Sequence, residues 1–210
     1  MTSTQTFQAR KQPVQERSTV TVDAILEATV HILESSKSAE FTTKQVAERA
    51  GVSIGSLYQY FPNKQALVSE MIRRKMLALV GVAKVACENA PEGINDSLEF
   101  VLDAVFAEKA RTINLSLALH EIMKTLDTQP IVQTHTVEIH RLIGDLIETR
   151  SGRVMSDTEK SRLKIAIDGI EGAMSSLVKT TPADLRDQNT IDALRRMFLA
   201  TLNLKSETHG

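Results

Sequence analysis

The chain has 210 residues, 42% of them hydrophobic and 24% charged, with 25 Lys and Arg against 26 Asp and Glu. This is ordinary globular composition with room for one large or two modest domains, and a net charge of −1 excludes a generic polyanion binder. A single cysteine, Cys87, excludes an intrachain disulfide framework and fits a reducing cytosol.

The charge is unevenly spread. Residues 1–75 carry 10 basic and 7 acidic side chains, a net +3, and the remainder carries 15 and 19, a net −4. A basic front on an acidic body suits a local contact with DNA. The N-terminus has no apolar run of signal-peptide length, and no later segment approaches about eighteen uninterrupted apolar residues. A soluble, cytoplasmic protein with no membrane partner is expected.

Residues 1–17 are polar, without a helical stripe, and read as a flexible arm in which Arg10, Lys11 and Arg17 are within reach of phosphate or the minor groove. A helix is expected from about Thr19 to Glu34, because Ile25, Ala28, Thr29, Ile32 and Leu33 recur at helical spacing on one face. Residues 35–40 connect it to the next.

The stretch Phe41–Lys64 then reads as helix, turn, helix. Thr42 is an N-cap, and Gln45 three residues on completes a capping box. Val46, Ala47 and Ala50 form the buried face, and Gly51 supplies the turn. Ser53 caps the second helix, Leu57 points to the core, and Pro62 stops the helix by pushing residue 61 out of the α region. Asn63 caps the next. Such a unit lays its second helix in the major groove of DNA.

These residues also carry a resemblance. Thr-Thr-x-x-Val-Ala followed by Ala-Gly-Val-Ser-x-Gly-Ser-Leu-Tyr-x-Tyr-Phe-x-Asn-Lys resembles the DNA-binding domain of the tetracycline-repressor (TetR) family over about residues 20–75. The resemblance implies an all-α fold: a three-helix DNA-binding domain at 18–65 after the arm at 1–17, and a helical ligand-binding and dimerisation domain at 66–210. It implies a dimeric regulator, a repressor, that holds a palindromic operator in double-stranded DNA and is released by a small-molecule effector. Ile54 departs from the family pattern, which often has lysine or another polar residue there; an isoleucine suits a thymine methyl.

The DNA-contacting candidates are Thr42, Thr43, Ser53, Ile54, Gly55, Ser56, Tyr58, Gln59, Tyr60 and Lys64. Thr43 sits at a helix N-terminus that favours phosphate, and Lys64 is placed for another phosphate. Tyr58 is expected to face DNA, and Tyr60 divides between core and contact. Gln59 suits adenine, Gly55 gives close backbone access, and Phe61 is a core plug.

After Asn63 a long helix is expected, to about Ala90, with Leu67, Met71, Leu77 and Val80 on its apolar face and Arg73, Arg74 and Lys75 on a solvated one. Four of the five prolines fall at inferred helix boundaries. Further helices follow Pro91, run over about Ile113–Leu126, and follow Pro130. Ser156 with Glu159 is a second capping box opening a helix to about Thr180, and Thr181-Pro182 is expected to begin the last helix. No sheet is expected. By the resemblance, the closing helices, about 156–204, form the dimer interface through Leu163, Ile167, Gly169, Ile170, Met174, Leu194 and Phe198. Effector candidates are Phe100, Phe106, His120, Met123, His140 and Met174, a mixed lining of the kind small-molecule sites use.

An enzyme finds little support. His135, Glu138 and His140 lack the spacing of a helical metal site, and His120 and Glu121 are neighbours that do not share a helix face. No nucleophile-elbow, Walker or dinucleotide motif is present. No catalytic residue, metal or cofactor is assigned. The alternatives left open are an activator or ligand-independent regulator of this fold, a regulator that docks a partner protein, and a helical enzyme or metal-binding bundle.

Overall fold

The computed structural model describes residues 16–35, 41–123 and 128–203, and these form nine α-helices and one 3-10 turn with no strand. The helices are α1 (Glu16–Ser35), α2 (Thr43–Ala50), α3 (Ile54–Tyr60), α4 (Lys64–Glu88), α5 (Ile94–Arg111), α6 (Ile113–Met123), α7 (Gln129–Ser151), α8 (Asp157–Thr180) and α9 (Gln188–Leu202). Arg10 and Lys11 lie outside the described residues, and α1 begins at Glu16, just inside the span read as an arm. Among the described residues no helix is long and apolar enough to cross a membrane.

The chain divides into two compact units. The first holds the residues up to Met76 together with Asn114–Val132. Its core is built where the periodicity placed it: Ile25 and Leu33 of α1, Val46 of α2, Leu57 of α3 and Leu67 of α4 are almost fully buried, and Phe61 plugs the α3–α4 turn. Leu115 and Leu119 of α6 belong to the same core, which no feature of the sequence announced. Thr29, mid-helix in α1 and fully buried, donates its hydroxyl to the Ile25 carbonyl at 2.7 Å, so that hydroxyl is not left bare.

The second unit holds Leu77–Ile113 and Gln133–Gly210. Phe106 of α5, Ile147 of α7, Met174 of α8 and Phe198 of α9 fill its centre. Arg150 ties α7 to the start of this core by donating to the Ala90 carbonyl at 2.7 Å and the Pro91 carbonyl at 2.9 Å, which satisfies carbonyls beyond the end of α4. At the N-terminus of α8, Ser156 and Glu159 form the expected capping box, and Arg153 adds a 2.6 Å ion pair to Glu159. That guanidinium and the Ser156 backbone and hydroxyl hold the Glu159 carboxyl far below its usual range.

One boundary differs from expectation. Pro182 opens a 3-10 turn, Pro182–Arg186, instead of the last helix. The helix starts one step later because Asp187 is the better cap: its carboxylate accepts from the Thr190 backbone N–H at 2.9 Å.

Candidate nucleic-acid interface

The surface is assembled from turn and cap chemistry. Thr42 Oγ1 accepts from the Gln45 N–H at 3.2 Å while Gln45 Oε1 accepts from the Thr42 N–H at 2.8 Å, and this sets where α2 begins. Gly51 closes α2 at φ +67°, a left-handed conformation in which a side chain would be strained. The next N–H, from Val52, reaches back to the Ala47 carbonyl at 3.0 Å. Ser53 Oγ then accepts from the Ser56 N–H at 3.0 Å to start α3, and Asn63 Oδ1 accepts from the Ala66 N–H at 2.7 Å to start α4.

The sequence candidates fall into two groups on this frame. Thr42, Ser53, Ile54, Gly55, Tyr58 and Gln59 are exposed, with Thr43, Ser56 and Lys64 half-buried beside them. The Thr43 and Tyr58 hydroxyls lie 3.0 Å apart, which joins the first turn of α2 to the middle of α3. Lys64 sits with its ammonium 4.1 Å from the centre of the Phe41 ring, a cation–π contact that fixes its position. Tyr60 belongs with the bracing groups: it is half-buried and its hydroxyl donates to Ser18 of α1 at 3.4 Å.

Lys44 is a residue the sequence reading passed over. It stands in the first turn of α2 beside Thr43, with its side chain 81% exposed and a loose 3.9 Å pairing to Glu48. A lysine next to a Thr-Thr cap was the available signal. The run Arg73-Arg74-Lys75 is not simply solvated. Glu70 takes hydrogen bonds from both arginines, Arg74 also pairs with Asp23 of α1, and Lys75 donates to Ser116 of α6 at 2.7 Å. Burial works to raise the Glu70 carboxyl, but the two arginines outweigh it and hold it below its ordinary value.

The effector candidates differ in burial and in the unit they belong to. Phe106 and Met174 are core residues, each 2% exposed, and Phe100 is on the surface at 44%. His120 lies in the first unit, half-buried, and the Met123 side chain lies outside the described residues. Burial pushes the His140 imidazole below its ordinary value, and its Nε2 is 3.5 Å from an Asp168 oxygen without hydrogen-bond geometry. His140 borders a cleft of about 410 Å³ between α7 and α8, with Gly144, Met155 and Leu163 on its apolar part and Asp145, Glu148 and Lys160 on its polar part.

The dimer candidates are placed with equal clarity. Leu163, Ile167, Ile170, Met174, Leu194 and Phe198 are all buried in the core of their own chain. Of that set Gly169 is exposed, and it shares the outer side of these helices with Ile165 and Gly172 on α8 and Ala193, Met197 and Ala200 on α9.

Residues 25–71, the span from α1 through the helix-turn-helix into α4, match the model of the bacterial regulatory proteins of the tetR family. The chain carries a tetR-family domain over this span. It is 26% identical over 145 residues to the HTH-type transcriptional repressor KstR of Rhodococcus jostii, across 68% of this regulator and 63% of that protein. It is 29% identical over 123 residues to the nucleoid occlusion factor SlmA of Haemophilus influenzae, across 57% and 54%. The regulator thus matches less than two thirds of the length of either relative. Its fold is that of Thermus thermophilus FadR, a TetR-family transcriptional repressor crystallised with lauroyl-CoA, at a TM-score of 0.62 and 16% identity over 90% of this chain and 98% of that one.

Proposed function

We propose that this regulator is a homodimeric repressor that holds a palindromic operator through α2, α3 and the start of α4, and that a small molecule bound in its second unit releases it. The observation that carries the DNA reading is the Thr43–Tyr58 hydroxyl contact beside an exposed α3, with Lys64 held over Phe41 at the start of α4. Two hydroxyls and an ammonium are fixed at the edges, where phosphates run, and uncharged side chains lie between them for base edges.

The dimer is supported by the exposed side of α8 and α9. Ile165 is 62% exposed and Met197 40%. A Cβ added at Gly169 or Gly172 would meet nothing within 4 Å, so the chain's own packing does not require either glycine. An exposed glycine inside a helix costs about 1 kcal/mol relative to alanine. Close approach of a second copy of the helix pair explains why they are tolerated.

Release rests on linkage: an effector weakens operator binding only as far as it prefers the DNA-incompetent state. Within the reading unit, Leu115 and Leu119 of α6 sit in the core and Ser116 accepts from Lys75 of α4, so a displacement of α6 would bear on that unit. Acyl-CoA thioesters are the first effector class to try, because FadR was crystallised with one.

Selection of bound duplexes from a random DNA library tests the proposal. A two-fold symmetric consensus with half-sites about one helical turn apart, or a multiple of it, is expected. No enrichment over non-specific binding would overturn it. Expression of a reporter behind that consensus, with and without the regulator, separates repressor from activator. A shift of the protein's melting point by acyl-CoA separates the effector reading from partner docking.

A further inference from the structure

We infer that α3 reads A·T base pairs, Ile54 by packing on a thymine methyl and Gln59 by pairing with an adenine, and that this helix makes no guanine contact. The inference rests on the operator reading above and names the bases it uses.

The helix and its cap, Ser53–Tyr60, contain no Lys, Arg, His, Asp or Glu. Guanine is most often read by a bidentate Arg or Lys, and the cytosine amino group by Asp or Glu. Neither chemistry is available along α3. Each hydroxyl already has a partner within the protein. Ser53 and Ser56 bond to each other at 2.8 Å, with Ser53 Oγ also capping the helix; Tyr58 is joined to Thr43, and Tyr60 is turned toward Ser18.

What remains exposed is chemically selective. The Gln59 amide makes no hydrogen bond to any described residue and is free to present one donor and one acceptor, the pattern complementary to adenine N7 and N6. Ile54 is 42% exposed at the first position of the helix, where it contributes little to the core; thymine C5-methyl is the apolar feature of the groove it would match. Gly55 between them has an ordinary helical φ, and a Cβ there would meet only Ser53 Oγ at 3.8 Å. The fold does not demand glycine at that point, and a bare backbone lets the helix seat more deeply. Gln59 is five positions after Ile54, a rise of about 7.5 Å and a turn of about 140°. A rise of this size exceeds one base-pair step, so the two address different base pairs.

The experiment is the random-library selection carried out in parallel on the purified 210-residue chain and on Ile54→Lys and Gln59→Ala, with melting curves to show that all three are folded. Both substitutions fall on exposed side chains. In the unsubstituted protein the two base pairs sensitive to these changes should be A·T, with discrimination at the Gln59 pair of roughly 5- to 150-fold. Ile54→Lys should move its pair toward guanine, and Gln59→Ala should level preference at the other. G·C at either sensitive pair in the unsubstituted consensus, or a consensus that neither substitution changes, would overturn the inference while leaving operator binding intact. Absence of any consensus would overturn the operator reading and the inference with it.

Discussion

Thr43 and Tyr58 are fifteen residues apart in sequence, and their hydroxyls are 3.0 Å apart at the surface of the reading unit. The bond joins the N-terminus of α2, where backbone N–H groups point outward, to the middle of α3. It pins the tyrosine ring on the side where a phosphate would approach. Tyr58→Phe removes the hydroxyl and keeps the ring. Because the site is exposed, stability should change by no more than about 0.5 kcal/mol, while operator affinity should fall about 2- to 10-fold. Titration of a labelled operator checks this, and unchanged affinity would place Tyr58 away from the duplex.

Lys64 is held over Phe41 at the first residue of α4. If it neutralises one phosphate, Lys64→Gln should lower affinity for all duplexes alike and reduce the slope of log affinity against log salt by about 0.9. Sequence-dependent loss with an unchanged slope would show that Lys64 reads a base instead.

The head of the molecule was legible because its signals are local. Thr42 with Gln45, Gly51, Ser53 and Pro62 each act within four residues, so the sequence states them directly. The closing helices were legible only by halves. The stripe of Leu163, Ile167, Ile170 and Met174 announces a buried face, but periodicity does not say whether the chain or a partner buries it, and here it is the chain. Phe100 shows the same limit from the other side, since an aromatic nominated for a pocket is exposed. That Leu115 and Leu119 join the reading unit depends on contacts far apart in sequence, which no local pattern encodes.

The Glu70 network gives a pH prediction with a definite sign. The folded-state carboxyl is held below its unfolded value by Arg73 and Arg74. Its contribution is therefore present above the ordinary carboxylate range and is lost as pH falls through the lowered folded value. Glu70→Gln should lower the melting point at neutral pH, and the difference from the unsubstituted protein should shrink as the pH falls below about 4. A gap that is constant with pH would show that packing, not charge, is what the substitution removes.

Gly169 offers a test in which monomer and dimer respond oppositely. With nothing within 4 Å of an added Cβ, Gly169→Ala should stabilise α8 in the monomer by about 0.5–1 kcal/mol. Gly169→Leu should leave the helical circular dichroism intact and convert the dimer to a monomer in sedimentation. A stable dimer of the leucine variant would move the interface elsewhere.

The most direct measurement of the whole account is the affinity of the regulator for a full palindrome and for a single half-site, made side by side with Gly169→Leu. Two linked heads should bind the full site about 100-fold or more tighter than the half-site, and the leucine variant should lose that advantage while keeping its half-site affinity. Equal affinity of the unsubstituted protein for the two duplexes would contradict a dimer that reads two half-sites at once.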